Sequence, residues 1–141
     1  MLKKEQWPIL IVNLIYLLVF GYLFFSRKNY EFVVYVGVVL FFIVLILWTN
    51  DRVGFSNTVL WGLTLWGFLH MAGGGLIFST RLYDTILVNI SSTYQIFKYD
   101  QLVHIIGFGV ATLVMWELIE PLLVIQRKWV RIGIVVVMAG L

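Results

Sequence analysis

Five ionisable side chains stand in otherwise apolar text and could do chemistry there: His70, Asp84, Asp100, His104 and Glu117. Asp100 and His104 are spaced i, i+4, so on a helix they share one face, and the carboxylate can accept a hydrogen bond from the imidazole. Asp100 is also placed to N-cap that helix. The pattern His70-x-x-Gly73 recurs as His104-x-x-Gly107, and Leu82-Tyr83-Asp84 is echoed by Lys98-Tyr99-Asp100. A glycine one turn from each histidine lets neighbouring helices approach closely. Antiparallel packing would then bring His70 and His104 to similar depth. With Asp84 and Asp100 they could bind a divalent metal or form an acid/base set. The zinc spacings of a single helix, His-x-x-x-His and His-Glu-x-x-His, are not among the motifs present. The alternative is a pair of interior histidines satisfied by backbone carbonyls and neighbouring polar groups.

Glu117 follows His104 by about 20 Å of straight helix and points away from it, so the two cannot share one compact site. Its depth suits a buried polar role, such as a proton relay or pairing with a helix missing from this chain. Glu120 is expected to snorkel toward Arg127 or Lys128, and Pro121 to kink the helix that carries both glutamates.

The elements that must position these residues follow from composition. Of the 141 residues, 62% are hydrophobic, 17% aromatic and 12% charged, whereas a soluble domain holds about 25% charged residues. Disorder, collagen-like repeats and coiled coils are excluded by the same balance. The absence of cysteine removes disulfides, thiolate metal sites and cysteine nucleophiles. A net charge of +3 comes from residues flanking the apolar runs and does not indicate nucleic acid.

A bilayer core asks for about 20 apolar helical residues. Four runs meet that length, at about 8–25, 32–49, 59–78 and 101–125, and a fifth, 130–141, reaches only part of the way. The expected fold is therefore all-α, a single multi-pass transmembrane helix bundle over 1–141 with four full spans and a truncated fifth. Its partners are the lipid bilayer, a second copy of the chain, or further C-terminal helices. The first run is too long for a cleaved signal peptide and reads as an uncleaved first helix.

Lysine and arginine set the orientation. Lys3, Lys4, Arg52, Arg127, Lys128 and Arg131 collect on one side; Arg27, Lys28, Arg81 and Lys98 collect on the other. This favours a cytoplasmic N-terminus, with the connection 79–100 outside. That connection mixes apolar and polar residues, which suits a segment lying at the interface or folded back as a lid over the helix ends. The triple glycine Gly73-Gly74-Gly75 either packs helices tightly or breaks the third span near Gly74, as in transporters with discontinuous helices.

The stretch Leu69-His70-Met71-Ala72-Gly73-Gly74, then Tyr83-Asp84, then Tyr99-Asp100-Gln101-x-x-His104-x-x-Gly107-Phe108, with Glu117 after it, resembles the YjdF-type family of small bacterial inner-membrane proteins. That family is itself similar to the VanZ-like proteins, which are associated with glycopeptide resistance. The resemblance covers about 66–120 and implies a role for His70, Asp84, Asp100, His104 and Glu117. It departs from the usual pattern at Ile105, where phenylalanine is usual, and at Trp116, where arginine is common. Relatives continue into a glycine-rich helix with further glutamates, which implies that part of any site lies beyond Leu141.

Three functions stay open from the residues. One is a non-catalytic membrane protein whose polar groups specify packing or partners. Another is a membrane enzyme acting on a lipid-linked or cell-envelope substrate. The third is a proton- or ion-coupled transporter. A polar site confined to one end favours the enzyme; polar groups spread across the membrane depth favour transport.

Overall fold

The computed structural model describes residues 2–89, 95–124 and 127–140. The first helix, α1 (Trp7–Ser26), takes Pro8 in its first turn, where the missing N–H costs nothing. It ends on Lys28 in the left-handed region (φ 55°), with Lys28 N–H donating to Phe25 O at 3.1 Å and Asn29 N–H to Phe24 O at 2.9 Å. These two bonds form a Schellman cap, which reverses the chain directly into α2 (Tyr30–Val53). That helix closes on Gly54 (φ 71°), and Ser56 then caps α3 (Asn57–Gly75) by accepting from Val59 N–H at 3.3 Å.

After α3 the chain makes an isolated bridge between Ile77 and Arg81, a 3-10 turn at Leu82–Asp84, and a two-stranded antiparallel sheet, β1 (Ile86–Asn89) with β2 (Gln95–Lys98). Ile86 pairs with Lys98, Val88 with Phe97 and Asn89 with Gln95. Helix α4 (Tyr99–Ile119) follows, then a 3-10 turn at Glu120–Leu122 and α5 (Lys128–Gly140). The fold is helical as expected, with this short sheet added to it. The strand text Ile-Leu-Val-Asn and Gln-Ile-Phe-Lys is short and rich in β-formers, and a hairpin satisfies its backbone without a helix. Residues 90–94 lie outside the described residues, as do the end of the expected fourth span at Ile125 and Leu141.

Among the described residues three helices are long and apolar enough to cross a membrane: Lys4–Ser26, Tyr30–Val53 and Tyr99–Leu122. Four were expected, and the run 59–78 is the one that falls short. Five glycines, two threonines, two tryptophans and His70 dilute the hydropathy of α3. The physical reason is its place in the bundle. Helix α3 packs against α1, α2 and α4, and it buries nine residues including Gly67 and Gly73–Gly75. By contrast, α2 buries only Phe32 and Asn50, so nearly all its apolar surface faces outward, where lipid suits it. A central helix is selected for small residues that admit neighbours, and an outer one for hydropathy.

Two apolar clusters hold the bundle. One, at the end where α1 turns into α2, joins Tyr16, Leu17, Phe20, Phe24, Phe32, Met71 and Ala72. The other, at the opposite end, joins Ile9, Phe55, Val59 and Leu60. Neutral hydrogen bonds tie the helices between them. Asn13 Nδ2 donates to Thr64 Oγ1 at 2.6 Å, Tyr16 Oη–H to Asn13 Oδ1 at 2.9 Å, and Asn50 Nδ2 to Gln6 Oε1 at 3.0 Å. Such bonds fix helix register away from water without burying a charge. The sequence reading did not single out these residues, because an isolated Asn or Thr in an apolar run carries no spacing signal.

Candidate functional site

Helices α3 and α4 run antiparallel, and their register is visible in side-chain contacts along the whole length. Ser56 N–H meets Glu117, a Cβ at Gly62 would touch Val110, and Trp66 lies against Gly107. Continuing that register by one turn puts His70 at the depth of Val103 and His104. The expectation of equal depth is therefore met. Gly107 serves the contact of α4 with α3 as expected, by admitting Trp66 of α3, whereas Gly73 admits a ring from the connecting turn. A Cβ at Gly73 would come within 2.7 Å of the Tyr83 ring, and one at Gly107 would collide with the Trp66 indole. Aromatic rings, rather than helix backbones, occupy the space.

Tyr83 comes from the 3-10 turn, which folds back onto α3 and α4 as the lid reading anticipated. Its hydroxyl lies 2.5 Å from His70 Nδ1 and 3.1 Å from His70 O. Tyr99 Oη–H donates to the adjacent carbonyl, Leu69 O, at 3.0 Å. The echo of Leu82-Tyr83-Asp84 in Lys98-Tyr99-Asp100 is thus a pair of tyrosines that seal the last turns of α3. His70 itself sits among four rings, with centroids of Tyr35 at 5.2 Å, Tyr83 at 5.7 Å, Trp66 at 5.9 Å and Phe32 at 6.1 Å. Of these, only Tyr83 was part of a motif, and none had an assigned role. An aromatic residue in an aromatic-rich chain gives no signal of its own.

Asp100 and His104 form the expected i, i+4 pair. His104 Nδ1 lies 2.8 Å from Asp100 O and 3.2 Å from Asp100 Oδ1. A carbonyl oxygen only accepts, so Nδ1 carries a proton, and in the neutral imidazole Nε2 then presents the lone pair. The His104 side chain is 62% exposed, and it is near enough to His70 for the two to interact electrostatically. Asp100 is not the N-cap. That position is Lys98, whose N–H is met by Gln101 Oε1 at 2.8 Å, so Asp100 lies within the first turn, where its charge favours the helix dipole.

The other candidates do not join this centre. Asp84 is exposed and takes no part in these contacts. Among the described residues no three His, Cys, Asp or Glu side chains come together as a group that could hold a metal.

Glu117 lies at the other end of the bundle. Its Oε2 accepts Ser56 N–H at 3.0 Å, which places a carboxylate on the N-terminus of α3. Glu117→Gln keeps an acceptor and loses the charge, so it is expected to lower stability by about 0.5–1 kcal/mol, read by thermal unfolding in detergent. Glu120 pairs with Arg131 and not with Arg127 or Lys128. Pro121 ends α4 in the 3-10 turn instead of kinking a continuous helix, because it removes one backbone donor just where the helix must stop. Nor does the triple glycine break α3, which stays helical through Gly75.

Burial pushes the Tyr83 hydroxyl well above the ordinary tyrosine range, and the Asp100 charge, then Tyr99 and Tyr35, add to it. The unfolded chain releases this proton near pH 10, whereas the folded chain keeps it. Stability owed to Tyr83 is therefore complete below about pH 10 and is lost as the pH rises above that value. Tyr83→Phe is expected to make the alkaline decline shallower, as measured by unfolding temperature across alkaline pH.

No curated protein and no solved structure matches the chain. Residues 8–141, nearly its whole length, match the family described as predicted membrane protein DUF2238, with which the apolar helices agree, and the chain belongs to that family.

Proposed function

We propose that this protein is a membrane enzyme that acts on a lipid-linked or cell-envelope substrate at headgroup level, with His104 as its general base. The observation that carries the reading is the His104 Nδ1 contact to Asp100 O at 2.8 Å, which in the neutral, exposed imidazole directs the lone pair to Nε2. Nε2 takes a proton from a hydroxyl or water, and the imidazolium so formed faces the Asp100 carboxylate at 3.2 Å. His70, held by Tyr83, is a positioning residue that ties the lid to α3.

The ionisable groups also gather at one end, while Glu117 is absorbed in capping α3 at the other. That distribution favours an enzyme over a proton path across the bilayer. The arginine and lysine bias supports a cytoplasmic N-terminus with this centre on the outer face, and the family resemblance supports a bacterial inner membrane. The resemblance to YjdF-type and VanZ-like proteins supports an envelope role.

The test is conversion of a total lipid extract from the native membrane, followed by mass spectrometry. Wild-type protein in nanodiscs is expected to deplete at least one species that empty nanodiscs and the His104→Ala protein leave intact. Depletion by His104→Ala at the wild-type rate, or none by the wild type, overturns the reading.

A further inference from the structure

The turn between α1 and α2, the end of α3 and the Ile77–Arg81 bridge enclose a concavity of about 310 Å³. Arg27, Lys28 and Arg81 line it together with Asn29, Gly74 and Gly75. No carboxylate is among its lining residues; Glu31 and Asp84, the nearest along the chain, both lie outside it. None of His70, Tyr83, Asp100 or His104 lines it either, so this inference stands apart from the acid/base reading.

The three cations are differently prepared. Arg27 Nη1 donates to Gly75 O at 2.7 Å, which fixes the guanidinium across the end of α3 and leaves its other N–H groups for a ligand. Lys28 is held by the left-handed cap of α1, and Arg81 by the bridge to Ile77. Among the described residues neither Lys28 nor Arg81 has a side-chain ion pair. Three full charges outweigh the half charge that the C-terminus of α3 brings to the same spot, and the N-terminus of α2 adds to the positive side. Side chains of this kind, convergent at the rim of a lipid-facing bundle, meet the demands of a phosphate: several donors, net positive charge and partial shelter from water.

We propose that this concavity binds a phosphate group, supplied either by an anionic lipid headgroup or as a free anion. The test uses the full chain in detergent. Phosphatidylglycerol and phosphatidylcholine are titrated and the bound lipid is counted by native mass spectrometry. Inorganic phosphate is added as a competitor and, in a second arm, as a stabiliser read by thermal shift.

Wild type is expected to hold one phosphatidylglycerol about tenfold more tightly than phosphatidylcholine, and Arg81→Gln to lose that preference. Lys28→Gln repeats the test should Arg81→Gln fail to fold. Arg52→Gln, whose charge lies at the opposite end of α2, is expected to keep it. Competition by inorganic phosphate shows that the phosphate alone is recognised. Lipid binding that resists competition assigns the site to a headgroup, and phosphate stabilisation without lipid preference assigns it to the free anion. The proposal is overturned if neither ligand depends on Arg81 or Lys28, or if Arg52→Gln weakens binding as much.

Discussion

His104→Ala is expected to slow substrate conversion by about 10²–10⁴-fold, and Asp100→Asn by about fivefold at most. The ordering follows from which atom fixes the imidazole. In serine-protease triads the aspartate carboxylate sets the tautomer, and its replacement by asparagine costs about 10⁴. Here the Asp100 backbone carbonyl is nearer to Nδ1, at 2.8 Å against 3.2 Å for the carboxylate, and no side-chain change removes it. Asp100→Asn therefore keeps the lone pair on Nε2 and loses only the charge that faces the imidazolium. For groups this exposed that charge is worth about 1 kcal/mol at most.

Neither substitution should unfold the protein. The His104 side chain is 62% exposed and that of Asp100 49%, and changes at such positions stay within about 0.5 kcal/mol. Initial rates on the depleted lipid species, with unfolding temperatures alongside, check both statements. Equal losses for the two variants would show that the carboxylate, not the carbonyl, holds the tautomer. Unchanged rates for both would return the centre to a packing role.

Much of this architecture was legible in the residues. Long apolar runs bounded by basic clusters announce membrane helices, and α1, α2 and α4 begin and end within a few residues of the expected spans, apart from the early stop of α4. The i, i+4 spacing of Asp100 and His104 predicts their contact because helix geometry alone enforces it. The central helix was misjudged for the same reason that the outer ones were right: hydropathy reports contact with lipid, and α3 has little.

The site was half legible. His70 and His104 stood out as charged types in apolar text, but the partner of His70 is a phenol from the connecting turn. Tyr83 stands in a repeated pattern, but nothing in that pattern assigns its hydroxyl to His70. Glu117 looked like a buried relay because its depth along α4 was read without its neighbour. The Ser56 N–H that it accepts belongs to a loop 61 positions away, which no local pattern encodes.

Gly74→Ala is expected to destabilise the protein even though it improves helix propensity. Alanine is the better helix former by about 1 kcal/mol, so on an open face of α3 the change would stabilise. At this position, however, the new methyl would fall inside the ring of Phe32. Phe32 is only 5% exposed and is enclosed by Phe24 and Tyr35, both with ring centroids at 5.2 Å, and by Tyr83 at 6.2 Å. It has no free direction in which to move. The overlap should outweigh the propensity gain and leave a net loss of about 2 kcal/mol, at the upper end of overpacking costs once the gain is subtracted.

Phe32→Ala alone should also destabilise, by about 3–5 kcal/mol, because it empties a closed space. Combined, the two changes relieve each other, since the methyl enters the space the ring has left. The double variant is expected to be more stable than the sum of the single losses by at least about 1 kcal/mol. Unfolding of all four proteins in a graded denaturing detergent series measures that coupling directly. Simple additivity would mean that α3 shifts away from Phe32 at no cost, and that glycine is required at position 74 for some reason other than this ring.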